Sequence, residues 1–563
     1  MGFMIDIDTG GTFTDGFFTD QVKNRVEIVK VPTTPHDLTV CFLDCIRSGA
    51  ERFGISLEEM LRQTGVIRFS STIATNAIIQ HSGPKLGLMV TVGHEADLYE
   101  VGGTEPAAVS NGFVQPDMAA GVSEQVSTAG EVLQSPNPEA VLASMQDLID
   151  RGARAIVICL ANAGVNSANE QAIKRIIKVE YPNYYLGSIP VFSASETTMR
   201  PGDALRLNTA LLNAYVHDHL ARYLYKAEEQ ARQAGYSRPL LVVHNNGGAA
   251  RVAKTQALNT YNSGPVAGLL GARRLVETYR LSHAISVDIG GTSVDIGVIT
   301  NGQVGYDLTP EIAGLSINLP MIRVSALGGA GGSIAWIADG RLKVGPQSAG
   351  ALPGPACFDL GGTEATVTDA DVVLGYVNSD YFLGGRMRLN RDKALSAVQK
   401  IADRLGCSTE EAAWRIKQTV DQATAENIRR VAEADGLRGA SLRDTVLVVY
   451  GGAGPTHAAG LLEALGARRA LTTPYSPVFS AFSSSTMDVM HAYSTAARLV
   501  LAENGATPTV AEQFNTLVEP LIARAERDMR GEGFASDAVR HELELLVRNE
   551  TDEVAVTTSR TRL

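Results

Sequence analysis

Cysteine is scarce: Cys41, Cys45, Cys159, Cys357 and Cys407 are the five in a chain of 563 residues. They form no CxxC pair and no Cys/His cluster, which argues against a zinc ribbon, an iron–sulfur site or a disulfide framework. A reducing cytoplasm is the expected compartment. Positive charge is also short, 49 Lys and Arg against 61 Asp and Glu, and the formal net charge of -12 sets up a field that repels nucleic acid and anionic membrane surfaces. Neither is expected as a partner. The chain runs straight into Phe3-Met4-Ile5-Asp6-Ile7-Asp8 with no basic leader and no long apolar stretch, so no signal peptide or membrane span is expected. The common nucleotide and hydrolase signatures are missing too: GxxxxGK[ST], GxGxxG in strand–helix context, HExxH and GxSxG. What the chain does have is glycine, 55 residues of it. Tight turns and close backbone approaches follow, and these are where phosphate chemistry is found.

The balance of 45% hydrophobic and 20% charged residues is that of a well-packed globular protein, long enough for roughly three to four ordinary domains. Strand patterns at Phe3 to Asp8, Gly16 to Thr19 and Arg25 to Val31 predict a hairpin sheet. A helix at Thr72 to Gln80, a strand at Leu86 to Val92, a helix at Pro138 to Arg151 and a strand at Ala155 to Leu160 follow. The long helical spacing from Gly202 to Gln233 leads into a strand at Leu240 to Val243, where a second α/β unit is expected to begin. Helix-rich sequence from Lys393 to Ala434 interrupts that unit before the strand Val446 to Tyr450. A helix at about Val510 to Arg530 and a strand at Glu542 to Val547 close the pattern, giving an α/β layer architecture.

One motif occurs twice. Asp8-Thr9-Gly10-Gly11-Thr12-Phe13-Thr14-Asp15 and Asp288-Ile289-Gly290-Gly291-Thr292-Ser293-Val294-Asp295 share Asp, Gly, Gly, Thr and Asp in register, each between two apolar strands. Paired glycines at such a bend let backbone N–H groups approach a phosphate with no Cβ in the way, and the threonine hydroxyl adds a donor. The leading aspartate would meet phosphate only through a cation, so Asp8 and Asp288 are the metal candidates. A third glycine turn, Gly451-Gly452-Ala453-Gly454-Pro455, sits between a strand and a helix predicted to begin near Thr456, a place that suits an anion.

The duplicated hairpins resemble those of the acetate and sugar kinase, heat-shock chaperone and actin superfamily, whose two ribonuclease H-like domains clasp ATP. Further segments narrow the resemblance: Ser71-Thr72-Ile73-Ala74-Thr75-Asn76-Ala77, Ser263-Gly264-Pro265-Val266-Ala267-Gly268, Val344 to Gly350, Pro353 to Cys357 and Thr366-Val367-Thr368-Asp369-Ala370. With the glycine turns they are similar to the hydantoinase A, 5-oxoprolinase and ketone carboxylase family over nearly the whole chain to about residue 500. The resemblance implies domains at 1–200 and 201–500, each with one hairpin, a helical insertion at about 390–440 in the second, and a short C-terminal extension, 501–563, against a partner. It implies ATP with Mg2+ or Mn2+, and a hydantoinase B type subunit and further small subunits as partners. Relatives of this kind commonly continue into a further C-terminal β-rich portion, so the tail from about Val510 is expected to find cover on another chain.

Members of the family use ATP to open a cyclic amide or to carboxylate a ketone. Gly361 to Glu364, Tyr381 to Gly385 and Ser484 to His491 look like the acetone and acetophenone carboxylase branch. The cyclic-amide branch usually carries an Asp and a His two apart before the run Gly328 to Ser333; here those places read Arg323 and Ser325. The expected substrates are therefore a ketone and bicarbonate, with a cyclic-amide hydrolase, or a non-catalytic ATP-binding module, as the alternatives. Phosphoryl transfer is mostly positioning and charge neutralisation, which makes Asp8, Asp15, Asp288 and Asp295 the catalytic candidates. Hairpin capping is the simpler role for Asp15 and Asp295. The nucleotide is expected among Gly10, Gly11, Thr12, Gly290, Gly291, Thr292, Gly452 and Gly454. His457 and His491 are candidate proton-transfer groups, or structurally bonded histidines.

Overall fold

The computed structural model describes residues 2–99, 111–186, 188–497, 499–501, 505–548 and 553–562. Its frame is two sheets of one topology. In the first, Phe3–Thr9, Phe13–Asp20 and Arg25–Pro32 form an antiparallel meander, and Thr64–Ser71 and then Leu240–Val243 continue the sheet parallel to Phe3–Thr9. In the second, His283–Ile289 pairs antiparallel with Ser293–Thr300 and parallel with Val446–Tyr450, which Arg469–Leu471 extends. The third-strand position there is shared by two short strands, Gln303–Val304 and Ser325–Gly328. Both sheets thus run third, second, first, fourth, fifth strand. This is the ribonuclease H-like order, repeated once, of the actin and sugar kinase superfamily.

Leu240–Val243 and Val446–Tyr450 are buried along their whole length, which is why their sequences read as continuous apolar runs rather than as alternation. Helices Leu38–Phe53 and Asp203–Gln233 cover the first sheet, with Phe18, Phe42, Ile46 and Phe69 fully buried among them. On the second sheet, Ile285, Val287 and Ile289 pack toward helices Thr409–Ala434 and Gly454–Leu465, while Val266, Leu269 and Phe479 cover the other side.

Two features of the layout differ from the sequence expectation. Leu240–Val243 does not open the second unit; it is the fifth strand of the first sheet, paired in parallel with Ile67 to Phe69 and followed at the edge by Ala249–Arg251, so a boundary at 200 severs that sheet from its last two strands. Between the fourth and fifth strands the chain also inserts a separate parallel sheet, Val191–Ser193, Ala155–Cys159, Leu86–Thr91 and Ala119–Val122 in spatial order. The second unit carries its own insertion, in which Arg391–Leu405 and Thr409–Ala434 are the two long helices and Phe358, Val367, Val398 and Ile416 build a core. The tail helix Pro508–Gly531 docks on the chain's own strand Ala249–Arg251. Arg251 Nε bonds Glu532 at 2.9 Å and Lys254 bonds Asp528 at 3.1 Å.

Candidate active site in the interdomain cleft

The two copies of the motif fold alike. Gly10 N–H donates to the Phe13 carbonyl at 3.0 Å, and Gly290 N–H donates to that of Ser293 at 3.1 Å. In both hairpins the register sets the motif's two aspartates directly opposite one another, Asp8 against Asp15 and Asp288 against Asp295. The hairpins meet tip to tip across a cleft, where a Cβ placed on Gly291 would stand 3.0 Å from Thr12 Oγ1. Gly11, Gly291, Thr292 and Gly452 are exposed, and a Cβ on Gly11 would meet nothing within 4 Å. The backbone at Gly10, Gly11, Gly290 and Gly291 has ordinary negative φ; the one positive φ among these turns is at Gly451, +91°.

The remaining motifs hold this arrangement. Gly264, in the first turn of helix Ser263–Tyr279, lies against the first hairpin, and a Cβ there would come 2.8 Å from Asp8 Oδ1. Ser263 Oγ reaches the backbone of Ser71, tying that helix to the segment Ser71 to Ala77. Gly331 N–H and Gly332 N–H donate to the carbonyls of Gly290 and Gly291 at 3.1 and 2.7 Å. Thr368 in turn donates to the Gly331 carbonyl, in helix Val367–Leu374, whose first turn is closed by a capping box between Thr366 and Asp369. Asp369 also accepts from the backbone of Ala356 and Cys357. The third turn joins the second hairpin where Ala453 N–H donates to the Ile289 carbonyl at 2.9 Å.

Four carboxyl groups converge on the floor of the cleft, each retaining a narrow exposed face. Burial raises Asp8 to about 6, opposed by a 2.5 Å hydrogen bond from Ser70 and reinforced by Asp15. It raises Asp295 to about 7. Asp288 is held well above the carboxylate range by burial and then by the charges of Asp295, Asp8 and Asp15. Asp15 is raised by burial against the pull of Lys30, whose Nζ lies 2.5 Å from Asp15 Oδ1. Among the described residues no three of these carboxyls close into a ready-made metal cluster; one or two of them beside exposed backbone amides can take a hard cation whose remaining ligands are water and the oxygens of a polyphosphate.

The two histidines stand apart from this floor. His457 is fully buried; its Nδ1 lies 2.5 Å from Asp421 and 3.1 Å from Lys417, both on the helical insertion. His491 bonds Glu532 at 3.2 Å in the dock of the tail helix. Arg323, where the cyclic-amide pattern has an acid, holds Asp435 at 2.6 Å. Burial and the neighbouring Asp369 drive the Cys357 thiol far up, so it remains protonated. Lys30, Ser70 and Ser480, the last 3.5 Å from Asp288, were not among the residues expected from sequence. The hairpin register would have found the first of them, because it pairs Asp15 with Lys30.

Family models for the N-terminal region of hydantoinase/oxoprolinase and for hydantoinase/oxoprolinase match residues 4–181 and 206–493. The chain is 40% identical over 561 residues to the acetophenone carboxylase gamma subunit of Aromatoleum aromaticum, covering 96% of this chain and 76% of that one. It is 30% identical over 578 residues to the caprolactamase subunit alpha of Pseudomonas jessenii, covering 100% and 81%. A nucleotide-free structure of acetone carboxylase superposes with a TM-score of 0.84 at 27% identity, over 99% of this chain and 81% of that one. With both models matched in order and the hairpins opposed as described, the chain belongs to the hydantoinase/oxoprolinase family.

Proposed function

We propose that this chain is the ATP-binding subunit of an ATP-dependent ketone carboxylase of the acetone and acetophenone type. The observation that carries the reading is the pair of Asp-Gly-Gly-Thr hairpins meeting tip to tip over four carboxyl groups, in a chain 40% identical to an acetophenone carboxylase subunit. The polyphosphate lies between Gly10, Gly11 and Thr12 on one side and Gly290, Gly291 and Thr292 on the other, with Gly452 and Gly454 toward the nucleoside. Asp8 and Asp288 would hold Mg2+. Two carboxylates suffice, because magnesium keeps several waters and takes its other ligands from substrate phosphates. When bound, the cation neutralises charge on the transferring phosphoryl group.

The chain's own groups then orient and exclude. The hairpin amides fix the phosphates, and Asp15 and Asp295 face the space where an acceptor oxygen, from the ketone's enolate or from bicarbonate, takes the phosphoryl group. Catalysis is shared with a hydantoinase B type subunit, in a reducing cytoplasm that suits five unpaired cysteines. The test is an assay of the co-purified complex against ketones and cyclic amides, with and without bicarbonate, following phosphate release. Bicarbonate-dependent consumption of a ketone is expected. Equal turnover of a lactam without bicarbonate would transfer the chain to the cyclic-amide hydrolases, the reading that the 30% identity to a caprolactamase subunit favours.

A further inference from the structure

We propose that Lys30 is the cation this chain delivers to the nucleotide phosphates, and that in the nucleotide-free state it is held in reserve by Asp15. The proposal rests on the ATP reading of the cleft. Lys30 belongs to the third strand of the first sheet, yet its ammonium crosses to the other half of the molecule. Nζ donates to Asp15 Oδ1 at 2.5 Å and to the Pro477 carbonyl at 3.0 Å, from the segment that follows the second sheet. Its Cε stands 3.9 Å from where a Cβ on Gly452 would lie, beside the third glycine turn. The side chain is 17% exposed, so it is placed by its partners and still open to the cleft.

Charge supplies the reason for a lysine here. Asp8, Asp15 and Asp288 all feel its field, which partly offsets their mutual repulsion. Along the same strand Arg25 and Glu27 pair with each other; beside Lys30 itself stand the Arg386 guanidinium, which donates to the Lys30 carbonyl, and the buried Cys45 thiol. A polyphosphate entering between the hairpins brings more negative charge than Asp15 alone. An ammonium is a compact charge on a flexible stem, so a small rotation moves it from the carboxylate to a phosphate oxygen without a change of fold. The Phe13 ring, 5.3 Å from Nζ, confines that movement to the cleft. The role of Lys30 is charge neutralisation alone. Since Pro477 also accepts from it, transfer to phosphate releases one tie between the two halves and replaces it with a tie through the nucleotide.

Two measurements on the full chain with its partner subunit test this. The first is calorimetric binding of adenylyl imidodiphosphate with Mg2+ to wild type, Lys30→Met and Lys30→Arg. Lys30→Met is expected to weaken binding by about tenfold or more, and Lys30→Arg, which keeps the charge, to recover part of it. The second is labelling of Lys30 in the wild-type protein by an amine-reactive ester, read by mass spectrometry, which the nucleotide is expected to suppress; this holds even where Lys30→Met fails to fold. Wild-type affinity in Lys30→Met, or labelling indifferent to nucleotide while wild type binds it, would overturn the assignment of Lys30 alone. A wild-type protein that binds no nucleotide would overturn the reading of the cleft as well.

Discussion

Like charges directly opposite in a hairpin ladder are destabilising, and this chain sets two such pairs facing each other across one cleft. Burial is the chief cause of their raised proton affinities, and neighbouring carboxylates add to it at Asp8, Asp288 and Asp295; that cost makes a test of function. Asp295 titrates near 7 instead of near 4, so between those values the native chain holds a proton that the unfolded chain has released. The stability this confers is complete below about pH 4 and is lost as pH rises through about 7. Replacing Asp295 with Asn removes the dependence. The variant is expected to melt above wild type at pH 8 and close to it at pH 4, while losing ATP-dependent phosphate release; scanning fluorimetry across pH and a phosphate assay check both halves. Gly451 acts in the opposite sense, on the fold. Its φ of +91° and the overlap of any Cβ with the Asp288 carboxylate and the Ile289 backbone exclude a side chain. Gly451→Ala is expected to lower unfolding free energy by about 2 kcal/mol or more, measured by urea denaturation. Gly291 has negative φ and meets only Thr12, so Gly291→Val is expected to obstruct nucleotide while leaving the melting temperature near wild type.

At the scale of elements, helix Gly454–Leu465 connects the third glycine turn to a buried cluster. Its Thr456 and His457 meet Asp371 of one helix and Lys417 and Asp421 of another, with Lys417 and Asp421 3.2 Å apart. Removing one partner from a buried charge network strands the others, so Asp421→Ala is expected to destabilise the chain by roughly 3 kcal/mol or more. His457→Asn, which keeps a hydrogen-bonding atom near Nδ1, is expected to lower the melting temperature while retaining kcat per folded molecule; a lost kcat at unchanged stability would make His457 a proton-transfer group instead. Local signals made most elements legible. Leu240–Val243 and Val446–Tyr450 run as expected, and the predicted strands of the first hairpin sheet lie within the observed ones. Sheet membership was not legible, because a parallel strand finds its partner through a crossover and carries no local trace of which sheet it joins. Leu240–Val243 is the example: its apolar run would suit either sheet, and only its pairing with Ile67 to Phe69 assigns it. The carboxylates of the site could be read because the motif repeats. Ser70 and Ser480 could not, since nothing in Thr64–Ser71 or Phe479–Ser484 marks a serine as a neighbour of Asp8 or Asp288.

Across the whole molecule, the halves are joined by apolar contacts as well as by the cleft. Phe17 of the first sheet packs edge-on against Tyr475 and Phe482 of the second half, with ring centroids 5.3 and 5.2 Å apart, and Phe13 reaches Phe358 and Phe382 on the insertion. The tail buries Phe514 and Val518 and is bound by charge as well: Arg251, Lys254 and His491 receive Glu532 and Asp528. Beyond that dock the strands Leu543–Arg548 and Glu553–Thr558 pair, among the described residues, with each other alone, and Leu545, Val547 and Val556 share one face by register. Val547 is 38% exposed and Val556 43%. A two-stranded ribbon is marginal in water without an apolar face to cover it, and an uncovered row of this kind marks a contact surface. Val547→Asp combined with Val556→Asp is therefore expected to reduce co-purification with a hydantoinase B type subunit by about tenfold or more. The isolated chain should keep its melting temperature, since charges at exposed positions change stability by only about 0.5 kcal/mol. Undiminished co-purification would move the contact to another face, and a lowered melting temperature would mean that the ribbon packs on this chain's own body.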